Sequence, residues 1–531
     1  MWTLPLFILA ALVSAVLVLL VGRWDAKKAA PTAFLLSLVL AAFNLKILCN
    51  FDFATPEVVQ YAFSVPWIPQ FGITFTLGID SISLWLILLT SLLTPLSILG
   101  SFKYIKTREP EFYAWLLILY GAMLTCFCAR DVVLFYLAFE FTLVPMFFLI
   151  GIWGGTDRRK AAVRFFLYTF FGSVFLLAAV VYTGYLYYAS KGVWSFELET
   201  LYAFGATLPT NTQILIFLGL LCGFAVKIPL FPVHTWLPLA HTEAPTAGSV
   251  LLAGILLKLG TYGLIRISLP MFPDATLALA PWLAITCIVG IIYGALISWV
   301  QTDMKKLIAY SSVSHLGFCV LGMLALTQEG MVGSIMYMIN HGLSTGALFL
   351  VVGMIYERYH TRSMDEVSGL ARRTPVLASF AVLFVLSSVA LPGLNGFVSE
   401  FLVLIGTFSS GQTLGTTHAA FHGNLGPYYA VVAATGVILG AVYLLYWTGR
   451  VVFGPLKEPA HDVTAPHEPV KDLSFREWCV LAPLAIGVIV LGVYPQPMLD
   501  SLRQPVSNIQ NSIVAHEAPV NVVLPLPYPT H

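Results

Sequence analysis

Polar residues in this chain are clustered, and between the clusters run stretches of about 20 nearly uninterrupted apolar residues. A helix of that length rises roughly 30 Å, the thickness of a bilayer's hydrocarbon core, and satisfies its own backbone groups on the way. Fourteen segments are predicted to span: 2–22, 31–49, 80–101, 113–128, 132–153, 163–188, 212–238, 244–268, 279–299, 305–326, 331–356, 374–409, 428–451 and 475–497. The stretch 50–78 is too polar and Pro-punctuated to span. Within it Ile73, Phe75 and Leu77 alternate with Thr74 and Thr76, the period of a strand, which predicts a small external hairpin. The tail from Pro497 to His531, with Pro505, Pro519, Pro525, Pro527 and Pro529, reads as an extended surface segment or short helix outside the membrane. Met1–Gly22 lacks the charged leader and small-residue cleavage site of a signal peptide, so a retained first span is expected.

Composition agrees with an integral membrane protein. The 531 residues are 58% hydrophobic and only 10% charged, against roughly 25% in a soluble domain. With 27 Lys and Arg against 26 Asp and Glu, nothing favours nucleic-acid binding. Position is more informative than the sum. Twenty of the 27 positive residues fall in loops that follow odd-numbered spans, among them Arg158, Arg159, Lys160, Lys305, Lys306, Arg358 and Arg362. Positive residues collect on the cytoplasmic side, so both termini are expected on the other side. The seven cysteines contain no C-x-x-C pair, and neither a G-x-G-x-x-G nor a G-x-x-x-x-G-K-[ST] motif is present. The chain itself is therefore expected to hold no metal, iron-sulfur cluster or nucleotide.

Six ionisable residues interrupt the apolar runs: Glu140, Lys227, Lys258, His315, His341 and Glu400. Each costs at least ~2.5–3.5 kcal/mol at mid-bilayer for a charged group, which makes it a functional candidate. His315 lies ten residues past Lys305, Glu140 ten past Arg130 and His341 ten past Met331, each about 15 Å along its helix and close to the midplane. A lone histidine in a span is commonly a satisfied core group, and a buried Glu-Lys pair can be purely structural. Six such groups at similar depth, of both signs, point instead to a hydrated polar axis along which protons pass.

Two spans are broken. The seventh carries Pro229, Pro232 and Pro238; the twelfth carries Pro392, Gly393 and Gly396 and is too long for one helix. Freed carbonyls are tolerated in a membrane only where protein or water meets them. Lys227 precedes the first break and Glu400 follows the second, the pattern that marks a transport site. Spans four to eight and nine to thirteen thus form two units, each with an ionisable group in its second helix (Glu140, His315) and a charge at its broken fourth. Five is odd, so the units are inverted. Four G-x-x-x-G pairs (Gly219/Gly223, Gly290/Gly294, Gly342/Gly346, Gly436/Gly440) suit close helix packing. The expected fold is all-α, with about 14 transmembrane helices and two inverted five-helix repeats, each containing a broken helix. Its parts are 1–112 (three helices and the external loop), 113–268 and 279–452 (the repeats) and 453–531 (the last helix and tail).

The runs FEFTLVPMFFLIGIWGG, FAVKIPLFPVHTWLPLAHTEAPTAGSVLLAGILLKLG, QTDMKKLIAYSSVSHLGF, MYMINHGLSTGALFLVVG and ALPGLNGFVSEFLVL, with GVYPQPMLD, resemble the antiporter-like subunit M (chain 4) family of proton-pumping NADH-quinone oxidoreductase, respiratory complex I. The likeness extends over nearly the whole chain. It implies that Glu140 and Lys227 form a coupled pair, that Lys258, His315 and His341 continue the axis, and that Glu400 ends it. Sister subunits and multisubunit sodium/proton antiporters generally carry Lys at the last position, so Glu400 and the YPQP tail favour the subunit M branch. The resemblance further implies a non-redox translocase subunit in a bacterial inner membrane. Other complex I membrane subunits would be its partners, and NADH, FMN, iron-sulfur clusters and quinone would reside in partner subunits. A sodium/proton antiporter subunit is the alternative; a quinone-binding catalytic subunit would need a redox-facing pocket that the sequence does not show.

Overall fold

The computed structural model describes residues 2–411, 424–459 and 470–516. Among the described residues thirteen helices are long and apolar enough to cross a membrane, and two shorter apolar helices make up a further, interrupted span. In chain order the elements are α1 (Thr3–Trp24), α2 (Ala29–Cys49), β1 (Gln60–Ile68), β2 (Ile73–Ile79), α3 (Ser81–Gly100), α4 (Glu109–Cys128), α5 (Val132–Trp153) and α6 (Arg158–Lys191). The broken seventh span follows as α7a (Thr210–Lys227) and α7b (Leu237–Glu243), then α8 (Thr246–Met271), α9 (Pro273–Trp299), α10 (Met304–Leu324) and α11 (Gln328–Tyr359). The twelfth is α12a (Pro375–Ser388) and α12b (Asn395–Ser409), and α13 (Pro427–Val452), α14 (Phe475–Val493) and α15 (Gln496–Val514) complete the set. The chain is a multi-pass, all-α membrane protein.

α8 and α11 are buried along their whole apolar stretch and α10 nearly so, whereas α1, α2, α6 and α14 expose apolar side chains such as Leu9, Val16, Phe171 and Ile486. Apolar residues on the outside are what a lipid solvent selects, so burial here identifies the centre of the bundle. The polar central helices are thus the ones that lipid does not reach.

Polar caps fix where helices begin. Asp131 accepts from the Val133 and Leu134 amides at the start of α5, Asp303 from Lys305 and Lys306 at α10, and Thr327 from Gly330 at α11. Each satisfies backbone donors that a helix start would otherwise leave bare. The expected hairpin is present, with Phe63 opposite Leu77 and Val65 opposite Phe75. The tail begins as α15, an amphipathic helix that buries Met498, Leu502, Val506 and Ile513; its Ser501 accepts from Ser81 and Trp85 of α3. Pro519, Pro525, Pro527 and Pro529 lie outside the described residues.

Several boundaries differ from expectation for physical reasons. The seventh span unwinds after Lys227, because Pro229 and Pro232 remove amide donors, and resumes only at Leu237. Residues 237–243, divided in the sequence reading between the seventh span and the loop after it, all belong to α7b. α6 runs 34 residues, beyond the predicted 163–188, because its polar ends Arg158–Lys160 and Tyr187–Lys191 continue the helix past the apolar run.

At the end remote from most Lys and Arg, Asp80 caps α3 and forms an ion pair with Arg266 of α8, both buried. Asp80→Asn keeps the cap but strands the Arg266 charge, and breaking a buried pair costs about 3–5 kcal/mol. A lowered unfolding temperature of the purified assembly, with the exposed Asp500→Asn as a neutral reference, is the expected readout.

Candidate functional site

The two halves of the polar axis are built differently. In the first, Pro145 cannot donate to the Phe141 carbonyl, and the helical run of α5 is interrupted at Thr142. Glu140 lies just before this interruption, half-buried, with Oε1 unpartnered and Ser173 of α6 as a hydrogen-bonding neighbour. Lys227, the last residue of α7a, is buried at a helix C-terminus, where the dipole favours a cation. Its Nζ donates to Thr142 Oγ1 at 3.2 Å and lies 4.7 Å from the centre of the Phe139 ring. Lys227 therefore makes no direct ion pair with Glu140 in this arrangement; the pair implied by resemblance is open, with Thr142 and Phe139 against the lysine.

The second half is a closely spaced row in two hydrogen-bonded pieces, Lys258–His341 and His315–Tyr337–Glu400. Lys258 is wholly buried in α8 between two π-helical turns, Leu252–Leu256 and Leu264–Ser268. Such turns are concentrated at functional sites; here the first presents the Ala253 carbonyl to Lys258 Nζ. The same Nζ is 2.6 Å from His341 Nδ1 of α11. A Cβ on Gly342 would meet the Gly254 carbonyl at 3.0 Å and Leu89 at 2.6 Å, so only glycine allows α8 and α11 to approach this closely. The His341 and His315 rings are 5.8 Å apart.

From His315 the row passes through a residue that the sequence reading missed. Tyr337 of α11 donates to Glu400 Oε1 at 2.6 Å, and its oxygen is 2.7 Å from His315 Nδ1. A hydroxyl has one proton, so with that proton on the carboxylate side Nδ1 is the donor to Tyr337. Nε2 of a neutral His315 is then left to accept from Tyr443 of α13, 3.4 Å away. Glu400 reaches His315 only at 3.8 Å, so tyrosine, not direct contact, joins them.

A cavity of about 20 Å³ lies between His341 and Glu400, lined also by Asn340, Ser344, Ser387 and Ser399. This is room for one water. Two buried atoms without partners, His341 Nε2 and Glu400 Oε2, belong to its lining residues. The break in α12 closes around this cavity. Asn340 donates to the Asn395 carbonyl at 2.7 Å and accepts from the Asn395 amide at 3.1 Å, while Ser387 donates to Asn395 Oδ1 at 2.6 Å. Pro392 and Gly393, the latter at φ +92°, form the turn between the half-helices. At the other break Trp236 Nε1 donates to the Val226 carbonyl at 2.9 Å, beside Pro229 and Pro232.

Of the six residues singled out in the sequence, Lys258, His341, His315 and Glu400 form one row; Lys227 and Glu140 occupy a separate neighbourhood. His234 and His241 in FPVHTWLPLAHTEAP were missed, although both are buried and carry ring nitrogens without partners. Among the described residues no cluster of His, Cys, Asp and Glu could hold a metal ion. Tyr337→Phe keeps the ring, which stacks 6.2 Å from Phe318, and removes only the bridging hydroxyl. Slower proton transfer with normal assembly is expected, with a smaller effect than loss of either flanking residue, read as proton uptake per electron in liposomes.

Residues 129–426 match the family model described as NADH:quinone oxidoreductase/Mrp antiporter, TM, and residues 26–129 match that of NADH-ubiquinone oxidoreductase chain 4, amino terminus. The chain is 41% identical over 499 residues to NADH-quinone oxidoreductase subunit M of Rhodobacter capsulatus, covering 92% of this chain and 90% of the relative. It is 40% identical over 476 residues to NADH-ubiquinone oxidoreductase chain 4 of Marchantia polymorpha, covering 89% and 90%. A chain of respiratory complex I from Thermus thermophilus with bound NADH superposes with a TM-score of 0.83 at 29% identity, covering 96% of this chain and 99% of that one. A chain of the Mrp complex from Dietzia sp. shares the fold (TM-score 0.77, 23% identity, 95% of this chain and 52% of that one).

Proposed function

Since this chain belongs to the family of NADH-quinone oxidoreductase subunit M and its chain 4 counterparts, we propose that it is a proton-translocating membrane subunit of that enzyme. On this reading it performs no redox chemistry and couples electron transfer in partner subunits to proton movement. The observation that carries the proposal is the hydrogen-bonded row Lys258–His341 and His315–Tyr337–Glu400, enclosed in the three central helices and α12b. Titratable groups at hydrogen-bond spacing in a site lipid cannot reach are the requirement for proton transfer through a membrane.

Glu140 and Lys227 act as the input switch. An opposing carboxylate stabilises a protonated lysine; when a signal from neighbouring subunits moves the pair apart, Lys227 releases its proton toward Lys258. The open arrangement of these two side chains is one end of that motion. The repeats 113–268 and 279–452 supply two half-channels of opposite orientation, with both termini on the non-cytoplasmic side of a bacterial inner membrane. NADH, FMN, iron-sulfur clusters and quinone belong to partner subunits on this reading, and neighbouring antiporter-like subunits flank the chain. Replacing Glu140 or Lys227 by alanine in the intact complex abolishes proton pumping; a Glu140→Ala complex that pumps at the normal ratio rejects the assignment. Sodium uptake that follows NADH oxidation and survives a protonophore would instead favour cation exchange.

A further inference from the structure

A second polar cavity, of about 130 Å³, opens at the Lys/Arg-rich end of the bundle and is lined by Tyr104, Glu243, Lys305, Tyr356 and Arg362, among others. None of these was among the six candidates of the sequence. Their geometry is held tightly. Lys305 Nζ donates to the Ala244 carbonyl, Arg362 donates to the Thr242 carbonyl and pairs with Asp303 at 3.4 Å, and Glu243 Oε2 accepts from the Asp157 amide at 2.9 Å. A Cβ on Gly155 would meet that carboxylate oxygen at 2.7 Å, so the loop after α5 closes directly on it.

Two residues before Glu243, on the same short helix α7b, is His241. It is fully buried, and neither ring nitrogen has a hydrogen-bond partner. Its ring stacks on Phe349 at 4.7 Å, which fixes its plane without using either nitrogen. Buried polar side chains nearly always find partners, so an imidazole with two bare nitrogens calls for a role. Phe349 lies on α11, eight residues past His341 and three before Val352, which lines the cavity, so the stacked ring is set against α11 between the two. His241 thus stands between a polar cavity at the membrane surface and the Lys258–His341 end of the row.

We propose that the Glu243–Lys305–Arg362 cavity is the cytoplasmic mouth through which protons reach the Lys258–His341 pair, with His241 as the carrier between them. This rests on the proton-translocating reading above. A proton delivered by cavity water binds one ring nitrogen of His241 and the other nitrogen releases one inward, to a neutral Lys258 or His341; no bond other than N–H and O–H changes and no electron moves. Glu243 supplies the negative charge that draws protons into a mouth otherwise ringed by cations.

The test uses the intact complex in liposomes and compares proton-to-electron ratios of His241→Phe, His241→Gln and Lys258→Met. Phenylalanine keeps the stack on Phe349, and glutamine can hydrogen-bond but cannot carry a proton. Both His241 variants are expected to lower the ratio by the same factor as Lys258→Met while the complex assembles normally. If Lys258→Met lowers the ratio and either His241 variant keeps the wild-type value, the mouth is elsewhere and the axis stands. If Lys258→Met itself pumps normally, the axis reading fails first. Thr156→Cys, on the exposed rim, should react with a membrane-impermeant maleimide added on the NADH-oxidising side; labelling only from the opposite side overturns the proposal.

Discussion

Lys258→Met is expected to stop proton translocation by the complex and, with tight coupling, to slow electron transfer at least ~10-fold, about 1.4 kcal/mol of barrier. Methionine matches the length of the lysine stem and removes a buried charge, so the bundle keeps its packing. What disappears is the one nitrogen that contacts both His341 Nδ1 and the Ala253 carbonyl. Lys258→Arg sharpens the result. Guanidinium keeps the positive charge but does not deprotonate in proteins, so an arginine complex that assembles yet fails to pump shows that the site must exchange a proton and not merely hold a charge. Proton uptake per electron, followed with a pH-sensitive dye, is the measurement.

Glu400→Gln should be equally severe for a complementary reason. The amide oxygen can still accept from Tyr337, so the Tyr337–His315 geometry and the closed turn at Pro392–Gly393 survive, but the group can no longer take up a proton. Assembly and thermal stability near wild type are expected, with pumping lost. Glu400→Asp draws the carboxyl back by one methylene from a 2.6 Å hydrogen bond and should retain partial activity. That graded order, Glu above Asp above Gln, separates a proton acceptor from a structural anchor.

Much of this was legible in the sequence, because a bilayer imposes a simple rule on which residues may be where. Span number, the breaks at Pro229–Pro232 and Pro392–Gly393, and the ionisable residues all follow from the cost of placing polar or unsatisfied groups in hydrocarbon. Tyr337 escaped because a tyrosine among apolar residues is ordinary; only the approach of α11 to α12b makes its hydroxyl a bridge. His241 escaped because α7b follows the unwound residues after Lys227, and periodicity does not show a helix that restarts after two prolines. The separation of Lys227 from Glu140 was likewise hidden. Both are placed by helix ends, and whether they touch depends on Thr142, which the interruption before Pro145 turns toward the lysine. The cost of charge in hydrocarbon singled out the six residues and resemblance set Glu400 at the end of the axis; that Lys258 meets His341 rather than His315, and that Tyr337 joins His315 to Glu400, came from the structure.

The claim at the centre is that the Glu400 carboxyl changes protonation as the complex turns over. Infrared difference spectroscopy of the reconstituted complex, taken between resting and NADH-energised states, tests it most directly. The expected result is a carboxyl C=O band that shifts in deuterated water and is absent in Glu400→Gln. A wild-type complex that pumps at its full ratio with no such band, or one whose band persists unchanged in Glu400→Gln, contradicts it.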